Sequence, residues 1–395
     1  MTKPIDNISS TAAIAIADRA LFSAAVAAAA HVVERRNSIP ILSNVMLTGH
    51  GGALTITGTD LDIEIQAKVA CPADERLSIT VPAKLLKDIL AKGKASDLVS
   101  LEQTDSDESS RCAVDLGGVQ FSLQTIPAID FPNMEMVTGN CRFGIAAADL
   151  SAMFDRTKFA ISTEETRYYL NGVYLHHEPQ GNALRCVATD GHRLGKMEMS
   201  APDGSEAMPG VIVPRKTVGT ILDLLKVQAK ALGKGAVPPA VVVEVTASKI
   251  RFHIGESVVV TSKLIDGTFP DYERVIPRMN DKRAVMNVKA LDGAVDQVSL
   301  ISLEKGRAVR FELSAGKMTL TVNNPDAGTA TTTIETAGYD HDPMTIGFNA
   351  SYLRAFAAEM GGDDIEFVFV DAGSPTVIRD PSDARWMGVL MPMRV

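Results

Sequence analysis

LTITGTDLDIEI at residues 54–65, LRCVATDGHRLGKM at 184–197 and MTLTVNNPDAGTA at 318–330 are three versions of one pattern. In each, an alternating strand runs into a short polar turn and leaves as a second strand. The turns at Thr59–Asp60, Thr189–Asp190 and Asn323–Asn324 stand roughly 130 residues apart, a domain length rather than a solenoid period. The chain has 395 residues, and domains usually run to roughly 100–200. The repeat therefore predicts three similar domains, and a symmetric scaffold before an enzyme.

The flanking segments repeat as well. TVPAKLLKDILAKGK (80–94) and VIVPRKTVGTILDLLKVQAK (211–230) both set Val-Pro ahead of apolar residues at helical spacing. The proline stands where a helix can begin without losing a needed N–H. The third counterpart, IGFNASYLRAFAAEM (346–360), offers the cap chemistry of Asn349 instead. An earlier helix is expected over Asp18–Arg36, Ala148–Phe159 and Lys289–Ser299, each leading into strands. Strands outnumber helices without βαβ alternation, which reads as α+β with antiparallel sheets. The joints FSLQTIPAIDFPNM (121–134) and TSKLIDGTFPDYERVIP (261–277) carry Phe-Pro and read as semi-rigid connections. The expected domains are 1–134, 135–267 and 268–395, with the acidic SDESS (106–110) at an exposed hairpin tip.

Composition narrows the function. Hydrophobic residues make up 46% and charged residues 22%, ordinary for a chain with several cores. Aromatics are only 5%, so a stacking platform for single strands is not expected to dominate. Cys71, Cys112, Cys141 and Cys186 are scattered without CxxC, and read as reduced thiols of a cytoplasmic protein. The apolar run Ala20–Val33 is interrupted and too short to cross a bilayer. A net charge of −9 sits awkwardly with nucleic-acid binding, although one face can be basic while the rest is acidic.

The catalytic inventory is nearly empty. Asp60, Asp62 and Glu64 alternate and are expected on one strand face, where they could chelate a divalent cation or simply be solvated. GHRLGK (191–196) approaches a P-loop but has GxxxGK spacing and Met197 in place of Ser/Thr. His176 and His177 would project to opposite strand faces, which suits no shared metal. No metal or cofactor is expected. The positive signal is basic: Arg215, Lys216, Lys226, Lys230 and Lys234 on one second helix, and Lys84, Lys87, Lys92 and Lys94 on another. The third counterpart has only Arg354 before Glu359.

Together, RYYLNGVYL (167–175), VATDGHRL (187–194), TSKLIDGTFPDYERVIP, GFNASY (347–352) and the terminal MPMRV (391–395) resemble the bacterial β sliding clamp, processivity subunit of DNA polymerase III. IPILSN (39–44) and TGTDLDIEI (57–65) fit the same family, so the resemblance spans the chain in order. It implies three clamp-fold domains per subunit and a head-to-tail homodimer of pseudo-sixfold symmetry. Helices would line a ring around double-stranded DNA, with antiparallel sheets outside. The implied protein is not an enzyme. It tethers the polymerase III alpha subunit, the clamp loader, other polymerases and repair proteins through short peptides, with no membrane partner. Topology would also reconcile the net charge with DNA, because sliding needs only weak phosphate contacts.

Residue by residue, the resemblance implies a partner pocket with an apolar lining of Leu170, Pro270, Val275 and Met391. Its floor and rim would be Thr189, Gly191, His192, Arg193, Leu194, Arg274, Asn349, Tyr352, Pro392, Met393 and Arg394. DNA contacts would fall to Arg36, Tyr168 and Tyr169 beside the basic Arg215 and Lys216. Phe121 and Leu123 would meet Leu300 and Ile301 of a second subunit. The chain departs from the family in three places. Glu164 stands where a polar amide is common, Gly306 where a bulky pocket residue is common, and Val395 replaces a terminal Leu. Two other readings stand beside this one: a multidomain scaffold without DNA, and a metal-dependent phosphoesterase using Asp60, Asp62 and Glu64.

Overall fold

The computed structural model describes residues 12–16, 18–34, 38–94, 97–106, 109–135, 141–233, 235–302 and 308–395. They divide into two compact units, one of residues up to 150 with 219–264, the other of 151–218 with 265–395.

The first unit holds an eight-stranded antiparallel sheet. Its order is Ser78–Pro82, Asn44–His50, Ala53–Thr59, Ile63–Ala70, Val258–Lys263, Lys249–Ile254, Val241–Val245, Cys141–Ile145. A four-stranded sheet runs Ala12–Ile16, Val99–Ser106, Ser109–Leu116, Val119–Gln124. Helices α1 (Arg19–Ala29) and α2 (Ala83–Lys92) bury one stripe each: Phe22, Ala25, Val26 and Ala29, then Ala83, Leu86, Ile89 and Leu90. These are the three- and four-residue spacings that put side chains on one helix face. They join Leu47, Ile56, Leu101 and Val114 in one core cluster. Asp18 starts α1 by accepting from the Leu21 N–H at 3.0 Å.

The second unit repeats this plan. Its eight-stranded sheet runs Val211–Pro214, Gly172–Glu178, Ala183–Thr189, Arg193–Ser200, Trp386–Leu390, Thr376–Arg379, Asp364–Phe369, Lys282–Asn287. Its four-stranded sheet runs Gly328–Glu335, Lys317–Asn324, Ala308–Ser314, Met344–Asn349. The remaining helices are α3 (Ala147–Lys158), α4 (Arg215–Leu232), α5 (Val288–Val298) and α6 (Ala350–Ala358). Asn349 caps α6 through its side-chain oxygen, which accepts from the Ser351 N–H at 2.9 Å. Each large sheet joins two stretches remote in sequence: Ile63–Ala70 pairs with Val258–Lys263, and Arg193–Ser200 with Trp386–Leu390.

Three expectations need correction. The first helix ends at Ala29 rather than Arg36, and the chain turns so that Val32 is buried. Asp60, Asp62 and Glu64 do not share a strand face, because residues 60–62 form the turn between two strands. Asp60 accepts from the Asp62 and Ile63 N–H groups at 2.9 and 2.7 Å. Asp62 pairs with Lys263 at 3.1 Å, and buried Glu64 accepts from the Met134 N–H at 2.9 Å. Finally, Leu123 is packed into its own unit's core, so its side chain is not offered outward. The SDESS hairpin pairs Ser106 with Ser109, while Asp107 and Glu108 lie outside the described residues.

The second unit is tied across its long-range join by an ion cluster. Arg156 of α3 reaches Asp380 at 2.6 Å and Asp383 at 3.2 Å, and its guanidinium lies 5.1 Å from the Trp386 ring centre. The Trp386 indole N–H donates to the Arg156 carbonyl at 2.8 Å. Asp380 also accepts the Gly361 and Ser382 N–H groups at 2.8 Å each. Removing one member of a buried charge pair leaves the other unsatisfied, at a cost of roughly 3 kcal/mol. Trp386 is the chain's single tryptophan, so its fluorescence reports on this join. Asp380→Ala should lower the midpoint of the Trp386 fluorescence transition markedly, whereas an unchanged midpoint would show that the cluster contributes little.

Candidate functional site

The TDGHRL turn is built by local hydrogen bonds that the first repeat reproduces. Thr189 Oγ1 donates to the Arg193 carbonyl at 2.7 Å and accepts from the Gly191 N–H at 3.1 Å. Asp190 Oδ1 accepts from the His192 and Arg193 N–H groups at 2.9 and 3.0 Å. In the first repeat, Thr59 donates to Ile63 at 2.9 Å and accepts from Leu61 at 3.0 Å, and Asp60 plays the part of Asp190. Gly191 has φ +89°, and its counterpart Leu61 occupies the same left-handed region at φ 79°. The turn therefore tolerates a side chain at a conformational cost of about 1–2 kcal/mol. At 191 a Cβ would stand 2.7 Å from Arg167 Nη1, so the arginine's guanidinium end would have to move aside.

Beside this turn lies a cavity of about 320 Å³, contained within the second unit. It brings together Leu170, Thr189, Gly191, His192, Arg193, Leu194, Pro270, Val275 and Met391 of the expected pocket. Leu170 and Leu194 are buried in the floor, while Val275 and Met391 stand half-exposed at 49% and 39%. Met391 is held there because its N–H donates to the His192 carbonyl at 2.9 Å, one residue beyond the paired Arg193 and Leu390. Such a floor accepts apolar anchors while the rim supplies a few polar groups.

Arg193 is the fixed charge of the rim. It pairs with Asp190 at 3.0 Å, and its guanidinium lies 4.5 Å from the Tyr352 ring centre and 5.4 Å from that of Phe159. The His192 and Tyr352 rings stack at 6.4 Å. Burial, followed by the Asp190 charge, raises the Tyr352 hydroxyl above its usual pKa. Arg167 is turned toward Glu164, with which it pairs at 2.7 Å.

Six expected residues are not part of the cavity wall: Arg274, Asn349, Tyr352, Pro392, Met393 and Arg394. Two of them pack behind lining residues, Arg274 on Asp271 and Tyr352 on Arg193 and His192, while others bond away from the cavity. Arg274 is 84% exposed and pairs with Asp271 at 2.8 Å, Asn349 caps α6, and Tyr352 backs Arg193. The Met393 N–H donates to the Gly347 carbonyl at 2.7 Å. Conversely, Arg167, Tyr169, Asp271, Tyr272 and Val389 line the cavity and were not assigned to it from sequence. Tyr169, one of the two tyrosines expected at DNA, lines this cavity, and its neighbour Tyr168 is 53% exposed. Tyr272 lies within the Phe-Pro joint of residues 261–277, the one local signal that places it.

The other expected residues lie apart from this cavity. Arg215 and Lys216 open α4 on its exposed surface, while Arg36, Lys234 and Gly306 lie outside the described residues. Phe121 is half-buried on the edge strand Val119–Gln124, Leu300 is 80% exposed, and Ile301 follows it in a short 3-10 turn. His176 is buried and His177 is at the surface, on opposite strand faces as expected. All four cysteines are buried and outside disulfides, and burial pushes the Cys112 thiol up to about 12. Among the described residues, no group of three or more His, Cys, Asp or Glu could hold a metal, and no helix is long and apolar enough to cross a membrane.

A repeated α+β scaffold carrying an apolar groove rimmed by a fixed arginine has the form of a multidomain binding protein. The comparisons agree. Models of the DNA polymerase III beta subunit match residues 14–135 (N-terminal domain), 144–271 (central domain) and 273–394 (C-terminal domain). The beta sliding clamp of Caulobacter vibrioides (strain NA1000 / CB15N) is 43% identical over 380 residues, covering 96% of this chain and 99% of that one. The DnaN sliding clamp of Bartonella birtlesii bound to griselimycin has a TM-score of 0.88 at 43% identity, covering 98% of this chain and 100% of that one. The clamp of Pseudomonas aeruginosa bound to griselimycin gives 0.89 at 35% identity over 98% and 100%. This chain belongs to the DNA polymerase III beta subunit family, the bacterial beta sliding clamps, which are processivity subunits without catalytic activity.

The two left-handed turn positions should respond oppositely to substitution. Leu61→Gly is expected to be neutral or stabilising by up to about 1 kcal/mol, whereas Gly191→Leu, facing Arg167, should lower the thermal midpoint. A loss at 191 no larger than the gain at 61 would show that backbone strain alone, not the Arg167 contact, disfavours a side chain there. Glu359, at the end of α6, is a second test. Burial and then the nearby Asp155 charge raise its carboxyl from 4.5 to about 7. A carboxyl raised on folding contributes stability below its unfolded pKa and loses it as pH rises through the folded value. Glu359→Gln should therefore raise the thermal midpoint at pH 8 and fail to raise it at pH 5. A pH-independent change would contradict this assignment.

Proposed function

We propose that two copies of this chain close head to tail into a ring around duplex DNA and carry replication proteins at the groove. The observation that supports closure most directly is a pair of open sheet edges. In each unit, one sheet of eight strands joins two remote stretches, whereas the sheets ending in Val119–Gln124 and Gly328–Glu335 stop at four. An exposed edge is a template for a further strand. Pairing the first edge of one copy with the second edge of the other would add a join of the same kind on each side. The contact is heterologous, and at two copies it closes. Exposed Val119 and Leu300, with Phe121 and Ile301, supply its apolar material. Leu123 supports the edge from inside.

DNA contact fits the exposed lysines of α2 (Lys84, Lys87, Lys92) and the Arg215, Lys216, Lys226 and Lys230 side of α4. Arg354 of α6 contributes less positive charge, being held by Asp292 at 2.8 Å and Asp296 at 2.7 Å. Few cations per subunit suit a protein retained by topology, because each phosphate contact slows sliding. Tyr168 and, by family resemblance, Arg36 complete the proposed contacts. The groove would take short peptides of the polymerase III alpha subunit, the clamp loader, other polymerases and repair proteins, in the cytoplasm. The working domain limits are 1–134, 135–267 and 268–395.

The decisive measurement is retention on nicked circular DNA, loaded with the cognate loader and ATP, before and after one linearising cut. Loss on cutting is expected, and Leu300→Asp should elute as a monomer and not be retained. Equal retention on open-ended linear DNA would replace the ring with ordinary surface binding.

A further inference from the structure

Behind the groove wall lies a polar chain that the groove's own residues do not explain. The Tyr272 ring lines the cavity, and its hydroxyl points away into a buried network. That oxygen lies 2.9 Å from His176 Nε2 and 3.3 Å from Arg185 Nη1. Arg185 is clamped by Glu198 at 2.7 Å, Glu273 at 2.8 Å and Glu178 at 3.0 Å. His176 Nδ1 lies 3.0 Å from the His177 carbonyl.

The donors in this chain follow from the chemistry of its groups. A guanidinium only donates, so the Tyr272 oxygen accepts from Arg185. Burial pushes the Tyr272 hydroxyl up to about 12, so at neutral pH it keeps its proton, and that proton points to His176 Nε2. Nε2 must then carry a lone pair. Nδ1 carries the hydrogen, and the carbonyl of His177 is there to receive it. The chain thus runs in one direction, Arg185 to Tyr272 to His176 to the His177 carbonyl, and requires neutral histidine in a single tautomer.

We propose that Arg185 and His176 are positioning residues of the groove, fixing the Tyr272 hydroxyl and, through it, the Tyr272–Val275 turn that carries Val275 to the rim. This rests on the groove being the partner site. The surroundings agree. Tyr174 stacks on His176 at 4.7 Å and on Phe269 at 4.8 Å, leaving the imidazole little freedom to rotate. The charged groups facing it are Arg185, Glu178 and Glu273, with Lys196 and Glu198 behind Arg185. Burial holds His176 below its ordinary pKa, so the relay is intact at neutral pH. In acid, a protonated Nε2 would present a second donor to an oxygen already serving Arg185, and the tyrosine proton would lose its acceptor. Partner affinity should be flat above neutrality and fall on the acid side.

The test uses the full chain and griselimycin, the ligand bound to two similar clamps and the occupant proposed here for the groove, with affinity measured by calorimetry from pH 7.5 to 5.5. The panel is the parent, Tyr272→Phe, Arg185→Met, their double variant and Arg193→Ala, each checked as folded by Trp386 fluorescence. Tyr272→Phe keeps the ring in the wall and removes only the relay. It and Arg185→Met should each weaken binding about tenfold, the worth of one oriented hydrogen bond. The double variant should be no worse than the weaker single. The acid-side fall of the parent should vanish in Tyr272→Phe, a change that a merely structural tyrosine would not produce. Parent-like affinity in Tyr272→Phe, additive losses, or an unchanged acid-side fall, with Arg193→Ala still impaired, would overturn the relay and leave the groove standing. No binding to the parent, or none of it lost in Arg193→Ala, would remove the groove reading and the relay with it.

Discussion

The groove depends on one antiparallel join, Arg193–Ser200 against Trp386–Leu390. Its register pairs Arg193 with Leu390 and Leu194 with Val389, which sets the groove floor and delivers Met391 to the His192 carbonyl. Side chains alternate across a strand, so a slip of one residue would turn Leu194 and Val389 to the opposite face. The join is held from beside by Arg156, whose charge is absorbed by Asp380 and Asp383 and whose carbonyl receives the Trp386 indole. A stable seam is therefore a condition of having a groove at all.

The first unit shows what the same plan yields without those side chains. Its turn at Thr59–Asp60 makes the same hydrogen bonds, and its join of Ile63–Ala70 to Val258–Lys263 is the same kind of pairing. There, however, Asp62 turns to Lys263 and Glu64 to the Met134 backbone. What separates the turns is Gly-His-Arg in one and Leu-Asp-Ile in the other. The glycine leaves room for Arg167, and the arginine finds Asp190 and the Tyr352 ring.

Electrostatics in this molecule are mostly local. Arg185 spends its donors on three glutamates and a tyrosine, Arg354 on two aspartates, and buried Glu366 is met by Arg283 and Arg379. A net charge of −9 therefore says little about any one surface. The lysines of α2 show how a basic helix coexists with an acidic chain, as counting formal charges does not.

The amino-acid sequence by itself determined the threefold repeat, the α+β class, the helix starts and the turn chemistry, because strand alternation, capping and Asp-centred turns act over a few residues. Thr189, Asp190 and Gly191 could be picked out for that reason. Extending the strand period through residues 60–62 failed for the same reason: a turn cancels alternation, and the carboxylates separate. Only the tertiary structure decided which residues share a wall. Leu170, Leu194, Tyr272 and Met391 come from four remote stretches, and the His176 to Tyr272 contact spans 96 residues. Such neighbours are set by the register of a long-range sheet join, a physical quantity with no local signature in the chain.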